Sequence, residues 1–365
     1  MIAKTLSAFS YRNLENINLD FSDKVNIICG ENAQGKTNLL EAIWYFSAGK
    51  SFRASKEREV IMHGANCAKI SLDFLNGDRV NNLSISIKDK GKKCITLNSV
   101  PIKKTIDVLG NFTGVLFSPD HLVLIKEGAL SRRKFLDFGI SQITPKYSMI
   151  LARYNKILAQ RNAALKQSYY NKSYRDTLDV WDYKLATYAA YIVYKRVNYI
   201  KKLDVFAKKN HFEISQNKEE LSLSYLWNGN FIPNSQEEIY NFYMSKFKEQ
   251  RSNEIREGNT LFGPHRDDLN VMINDFSARY FASQGQQRSC VLSLKIAEAE
   301  MINEEYGEYP VLLFDDVLSE LDDIRQDFIL SKIDKKQVII TCCLADKFAT
   351  LTDAKIFNIK NGGLI

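Results

Sequence analysis

Gly30-Glu31-Asn32-Ala33-Gln34-Gly35-Lys36-Thr37 brings two glycines, an ammonium and a hydroxyl into one short turn. Glycines at those places let backbone N–H groups close around the α- and β-phosphates of a nucleotide. Lys36 can reach the β- and γ-phosphates, and Thr37 can hold Mg²⁺. This is the P-loop pattern, and its flanks fit. Residues 25–29 are apolar and strand-like, and Leu39, Leu40, Ile43, Trp44 and Phe46 recur at helical spacing up to Gly49, a C-cap candidate. A second chemical feature lies far along the chain. Pro310-Val311-Leu312-Leu313-Phe314-Asp315-Asp316 is an apolar strand ending in two carboxylates, the Walker B form. It would deliver Asp315 to the Mg²⁺ shell beside Thr37 and set Asp316 to orient and deprotonate an attacking water. A third feature, Ser283-Gln284-Gly285-Gln286-Gln287-Arg288, opens an amphipathic helix. A serine, a glycine and a helix N-terminus make an anion site, and its simplest use is to cap a γ-phosphate held by a second subunit. The same residues can also be no more than a helix cap.

These features need elements to hold them. Residues 2–10, 14–21 and 25–29 read as strands leading into the P-loop. Strand-like residues 68–75 and 83–88 flank Asn76-Gly77-Asp78, a hairpin signal, and Gly91 precedes a further strand at 94–97. Residues 146–228 then contain neither glycine nor proline. Their apolar residues predict two long helices broken near 169–173. Ser235 with Glu238 marks the start of a third. From residue 260 the pattern returns to α/β. The fold class read from this order is α/β, a P-loop ATPase head of mixed sheet lobe plus Walker core with an all-helical arm inserted. The head, lobe I, takes residues 1–130 and 260–365, and the arm, lobe II, takes 131–259.

Composition narrows the function classes. The chain has 365 residues, 45% hydrophobic and 25% charged, enough for a substantial core. No apolar run approaches the roughly 18 residues of a membrane helix, and residues 1–5 lack a signal-peptide core, so a cytoplasmic protein is expected. Six cysteines occur without a C-x-x-C pair and are read as buried free thiols. A formal net charge of +7 permits a polyanionic partner. Among several basic clusters, Lys50, Arg53 and Lys56 directly follow the P-loop helix and are the favoured contacts for the phosphates of such a partner, salt-dependent and mostly blind to sequence. The arm tyrosines fall at helical spacing and are read as core.

The order of P-loop, Ser-x-Gly-Gln helix, Walker B and Ser319-Glu320-Leu321-Asp322 resembles the ABC-type ATPase heads, including the SMC branch. The wording of the P-loop, with Asn38-Leu39-Leu40-Glu41-Ala42-Ile43 after it, resembles the bacterial RecF family of recombination and repair proteins. So do Phe117-Ser118-Pro119-Asp120, Arg132-Arg133-Lys134-Phe135-Leu136-Asp137, Gly263-Pro264-His265-Arg266-Asp267-Asp268-Leu269 and the Ser283 block. The resemblance implies ATP on Gly30, Glu31, Asn32, Ala33, Gln34, Gly35, Lys36, Thr37 and Asn38. It implies Mg²⁺ on Thr37 and Asp315, and catalytic roles for Asp316 and Lys36. Trans contacts would come from Ser283, Gly285 and Gln286, with Asp322 across the dimer interface. It further implies an ATP-dependent homodimer that binds single-stranded, gapped and duplex DNA. Such a dimer acts with RecO and RecR to place RecA on gaps, in support of the SOS response.

Two departures from the broader ABC pattern stand out. The strand after Walker B ends Thr341-Cys342-Cys343 where a histidine usually follows, and no glutamine lies between Gln34 and Gln142. Either Thr341 acts as the γ-phosphate sensor or nothing does, and Ser118 or Asp120 stands in for the glutamine. Both departures fit slow hydrolysis with ATP as a dimerisation switch, and the resemblance implies a weak ATPase stimulated by DNA. The alternatives are an ABC transporter's ATPase subunit, which would need a membrane partner, and a monomeric P-loop kinase, which would leave the Ser283 helix without a use.

Overall fold

The computed structural model describes residues 1–229, 233–334, 336–343 and 354–365. Two compact units emerge. The first comprises residues 1–122, 209–218 and 288–365, and the second residues 123–208 and 219–287.

In the first unit, β1 (Ile2–Tyr11) and β2 (Leu14–Asp20) pair antiparallel, and β3 (Val25–Cys29) runs into the P-loop and α1 (Lys36–Ala48). Gly49 ends α1 in the left-handed conformation, its N–H returning to the Tyr45 carbonyl at 2.8 Å. β4 (Cys67–Asn76) and β5 (Arg79–Lys88) form a hairpin about Gly77-Asp78, followed by β6 (Cys94–Leu97), β7 (Val100–Ile102) and β8 (Gly114–Phe117). The hairpins assemble an antiparallel sheet in the order β2-β1-β4-β5-β6-β7. Period-two alternation buries Leu6, Ala8, Ile70, Leu72, Leu83 and Ile85 on one face.

The second unit begins with α2 (Val123–Lys126), α3 (Ala129–Ile143) and α4 (Pro145–Tyr170). A 3₁₀ turn, Lys172–Thr177, capped by Asn171, breaks the helix before α5 (Leu178–Ile214). Next come β9 (Leu221–Leu226), α6 (Gln236–Glu257), β10 (Asp268–Ile273), β11 (Phe276–Ser277) and α7 (Ala278–Phe281). Ser235 caps α6 by accepting from the Glu238 N–H at 3.1 Å. The arm is not all-helical as expected. β9 lies inside it and pairs antiparallel with β10, Leu223 opposite Val271. A glycine- and proline-free run carries no local punctuation. The strand follows from pairing with residues some fifty positions on, which periodicity alone does not register.

The chain re-enters the first unit along α8 (Gln284–Tyr306), then forms β12 (Val311–Asp315), α9 (Asp323–Lys332), β13 (Val338–Cys342), β14 (Lys355–Lys360) and β15 (Gly363–Leu364). The second sheet has the order β15-β14-β3-β13-β12-β8 and is parallel except at β15. Every residue of β3, β12 and β13 is buried, as expected of parallel strands covered on both faces. α1 touches β1 and β4 of the first sheet and β8, β12 and β13 of the second, so its apolar residues are buried nearly all round. The cysteines divide differently from the expectation. Cys29, Cys290 and Cys342 are buried, Cys67 is half-buried, and Cys94 and Cys343 are exposed. Cys94 lies in a short strand near the edge of its sheet and Cys343 just past the end of β13, where burial ends.

Candidate nucleotide site

The parallel sheet aims the ends of β3, β12 and β13 at one place. Cys29 pairs in register with Cys342, and Thr341 with Asp315, so the P-loop, the Walker B acids and Thr341 emerge side by side. The P-loop turn needs its glycines for separate reasons. Gly35 has φ 115°, which a side chain would strain, and a Cβ on Gly30 would lie 2.5 Å from the Ile359 carbonyl oxygen. The turn is braced from the C-terminal hairpin between β14 and β15. The Gly362 N–H donates to the Gln34 carbonyl at 2.9 Å, and the Asn361 N–H to the Gln34 Oε1 at 2.5 Å.

Lys36 is buried, and its ammonium donates to the carbonyls of Gly30 at 2.8 Å and Glu31 at 3.1 Å, with the Cys343 Sγ at 3.6 Å. The Thr37 hydroxyl donates to Asp315 Oδ1 at 2.8 Å, across 278 positions of sequence. Thr341 donates to the same oxygen at 3.1 Å and accepts from the Asp316 N–H at 3.0 Å. Asp316 sits at φ 52°, a left-handed turn that points the chain away from the strand. Burial pushes the Asp315 carboxyl above its ordinary value, opposed by the two hydroxyl donors, and pushes Asp316 up as well, opposed by the Lys36 charge. Among the described residues no cluster of three or more His, Cys, Asp or Glu could hold a metal by itself. One carboxylate and one hydroxyl are hard oxygen donors of the kind Mg²⁺ takes when phosphates and water complete its shell, so Thr37 and Asp315 fit that ion.

Several residues here carry no motif. Arg12, at φ 56° in the β1–β2 turn, forms a bidentate pair with the fully buried Glu41 of α1 at 2.7 and 2.8 Å. Asn13 accepts from Asn38 at 2.8 Å, and Asn38 accepts from Arg53 at 3.0 Å. Arg53 is therefore held at the start of α1, and its charge lowers the Asp315 carboxyl. Lys50 and Lys56 are exposed. No local spacing could have flagged Arg12, Asn13, Asn361 or Gly362, because they arrive from turns at the two ends of the chain. Ser118 is buried, its N–H donating to His121 Nδ1 at 3.1 Å, while Asp120 is exposed.

Ser283, Gly285 and Gln286 belong to the second unit. There Ser283 Oγ accepts from the Gln286 N–H at 3.3 Å, and Gln286 Oε1 accepts from the Ser283 N–H at 2.8 Å, a capping box that pre-forms the helix start. The Gln286 amide also donates to Glu219 at 2.9 Å. In the first unit Asp322 caps α9, accepting from the Arg325 N–H at 3.0 Å and pairing with the Arg325 guanidinium.

A P-loop on one parallel strand, facing a Walker B acid on a strand two places away, defines a nucleotide-binding head of the ABC/SMC type. The chain belongs to the RecF/RecN/SMC N terminal domain family, whose profile matches residues 2–361. It is 41% identical over 366 residues to the DNA replication and repair protein RecF of Clostridium botulinum (strain 657 / Type Ba4), covering 99% of both chains. It is 41% identical over 365 residues to RecF of Clostridium novyi (strain NT), again with 99% of each covered. A solved structure of the recombination mediator protein RecF with ATP, in the RecFOR pathway, superposes with a TM-score of 0.92 at 37% identity, covering 100% of this chain and 97% of that one. The Smc head domain of Pyrococcus furiosus superposes with a TM-score of 0.57 at 15% identity over 100% of this chain and 95% of that one, a likeness of fold alone.

Proposed function

We propose that this chain is an ATP-binding DNA replication and repair protein that uses ATP as a switch for dimerisation and DNA binding. The observation that carries the reading is the 2.8 Å contact between Thr37 and Asp315, which brings P-loop and Walker B together in a chain alike to RecF along its whole length. Gly30 to Thr37 and Asn38 bind the phosphates, and Lys36 exchanges its carbonyl partners for phosphate oxygens. Thr37 and Asp315 hold Mg²⁺, which supplies charge neutralisation on the phosphates. Asp316 orients the attacking water and accepts its proton, and a carboxyl raised by burial is the better base. Thr341, bound to the Asp315 carboxylate and the Asp316 backbone N–H, sets the spacing of the two residues and reports on the γ-phosphate.

Ser283, Gly285 and Gln286 contact the γ-phosphate held by a second copy, and Asp322 lies at that interface. Two heads then sandwich two ATP molecules, and the closed dimer binds single-stranded, gapped or duplex DNA. Arg53, Lys50 and Lys56, all exposed, contact phosphates there. Hydrolysis is weak, stimulated by DNA, and resets the switch. RecO and RecR are the partners and RecA the beneficiary, in recombinational repair, gap processing and the SOS response in the cytoplasm. No helix among the described residues is long and apolar enough to cross a membrane.

The test is light scattering with and without Mg-ATP on an Asp316→Asn variant, alongside titration of a gapped duplex. Dimerisation and tighter DNA binding that both require ATP, and that both disappear with Lys36→Ala or Ser283→Arg, are expected. A chain that stays monomeric with ATP, or binds DNA equally without it, overturns the switch.

A further inference from the structure

Helix α4 and the turn that follows it have a charge pattern the nucleotide site does not use. Between Asp137 and Asp176 the chain has no aspartate or glutamate. Over the same stretch Arg153, Lys156 and Lys166 are exposed on α4, and among the described residues none of the three has a carboxylate partner. Arg153 to Lys166 spans 13 positions of α4, so this positive track is about 20 Å long. Its far end is aromatic. Tyr169, Tyr170 and Tyr174 are 60%, 86% and 42% exposed, whereas Tyr147, Tyr154 and Tyr243 of the same unit are buried. The Tyr169 and Tyr170 rings meet edge to face at 5.1 Å. Lys166 stands one helical turn before Tyr170, and Lys172 and Arg175 flank Tyr174, all exposed. The expectation that the arm tyrosines are core therefore fails at this tip, where the helix ends and no partner face is offered.

We infer that the arm tip is a binding platform for single-stranded DNA, with phosphates running along Arg153, Lys156 and Lys166 and unpaired bases stacked on Tyr169, Tyr170 and Tyr174. The chemistry is specific to this partner. A positive track without acids attracts a polyanion, and exposed rings beside it gain from bases whose faces are free, as they are in a single strand and are not within a duplex. Binding is tolerant of sequence because every base has a π-face. The platform lies wholly in the second unit and does not require the nucleotide. It rests on the proposed reading only in that the chain binds DNA.

The experiment measures fluorescence anisotropy of a labelled oligothymidylate and of a duplex of equal length, titrated with the full chain. Tyr170→Ala is expected to weaken single-strand binding about 5- to 150-fold. It should leave the duplex unchanged, and Tyr170→Phe should retain binding because the ring remains. The double change Arg153→Gln and Lys156→Gln should reduce the slope of log K against log salt by about 1.4, about 0.7 for each lost phosphate contact. All three residues are exposed, and Mg-ATP binding serves as the control that the fold is intact. Oligothymidylate binding by Tyr170→Ala equal to that of the unaltered chain overturns the platform and leaves the ATP switch standing. Equal losses on duplex and single strand overturn the stacking assignment. An unaltered chain that binds neither DNA overturns the DNA reading itself.

Discussion

Replacing Thr341 by valine removes one hydroxyl and almost no volume, at the point where three chemical elements of the site meet. The hydroxyl accepts from the Asp316 N–H at 3.0 Å and donates to Asp315 Oδ1 at 3.1 Å. Thr341 is buried, so water cannot replace it cheaply. A neutral hydrogen bond contributes about 0.5–1.5 kcal/mol and one to a charged group about 1.5–3 kcal/mol, so the two together come to about 2–4.5 kcal/mol. Part of that loss falls on stability and part on the placement of Asp316, whose left-handed backbone is held by this bond. If half of it reaches the transition state, ATP turnover falls by about 1–2.3 kcal/mol, or about 5- to 50-fold. ATP binding should change less than turnover, because the phosphate anchors Gly30, Gly35 and Lys36 are untouched. Thr341→Ser, which keeps the hydroxyl, should recover most of the loss. Steady-state phosphate release and a fluorescent-nucleotide titration on the three proteins read both quantities. Turnover of Thr341→Val equal to that of the unaltered chain, or an equal loss in Thr341→Ser, refutes the reasoning that the hydroxyl positions the acids.

Two further outcomes follow from the second unit. Arg161 is fully buried and donates to Asp182 at 2.7 Å, Glu254 at 2.6 Å and Thr260 at 2.8 Å, so Arg161→Met leaves two buried carboxylates with only the Arg251 guanidinium on Asp182 and the Leu261 N–H on Glu254. It should cost about 3–5 kcal/mol in urea unfolding, and a loss near zero would contradict the network. Burial pushes the Asp267 carboxyl up to about 7, so the folded state holds its proton more tightly than the unfolded chain with its ordinary 3.8. That contribution is complete below the unfolded value and is lost as pH rises through about 7. Between pH 5.5 and 7 the loss is about 1.36 × 1.5, or about 2 kcal/mol. Asp267→Asn should therefore remove about that much pH dependence from the unfolding free energy. His265, held down to about 4 by burial, runs in the opposite sense but is common to both proteins and cancels in the difference. Parallel curves for the two proteins would contradict the assignment.

Much of the site was legible because its chemistry is local. A P-loop is a turn whose glycines, lysine and threonine lie within eight consecutive positions, and Walker B is one strand with acids at its end. Both motifs are written in neighbouring residues, as are the Gly49 cap and the Ser283–Gln286 capping box. The hairpin about Gly77-Asp78 and the break between α4 and α5 were legible for the same reason.

What escaped the sequence depends on pairing across long separations. β9 joins β10 because a partner strand lies beyond α6, and the brace on the P-loop comes from a hairpin at the far end of the chain. Arg12 reaches Glu41 only once the first hairpin folds over α1. The hydrogen bond from Arg53 to Asn38 also depends on the course of the turn after α1, which no charge count records. Helical spacing likewise assigned all the arm tyrosines to the core. Spacing specifies which residues share a face, but burial of that face requires a neighbour, and at the arm tip the helix has none. The sequence by itself determined the kinds of chemistry present, since those follow from residue types at short spacing. The tertiary structure alone decided which distant groups meet and which rings stay open to solvent, because those depend on how the sheets and helices close on one another.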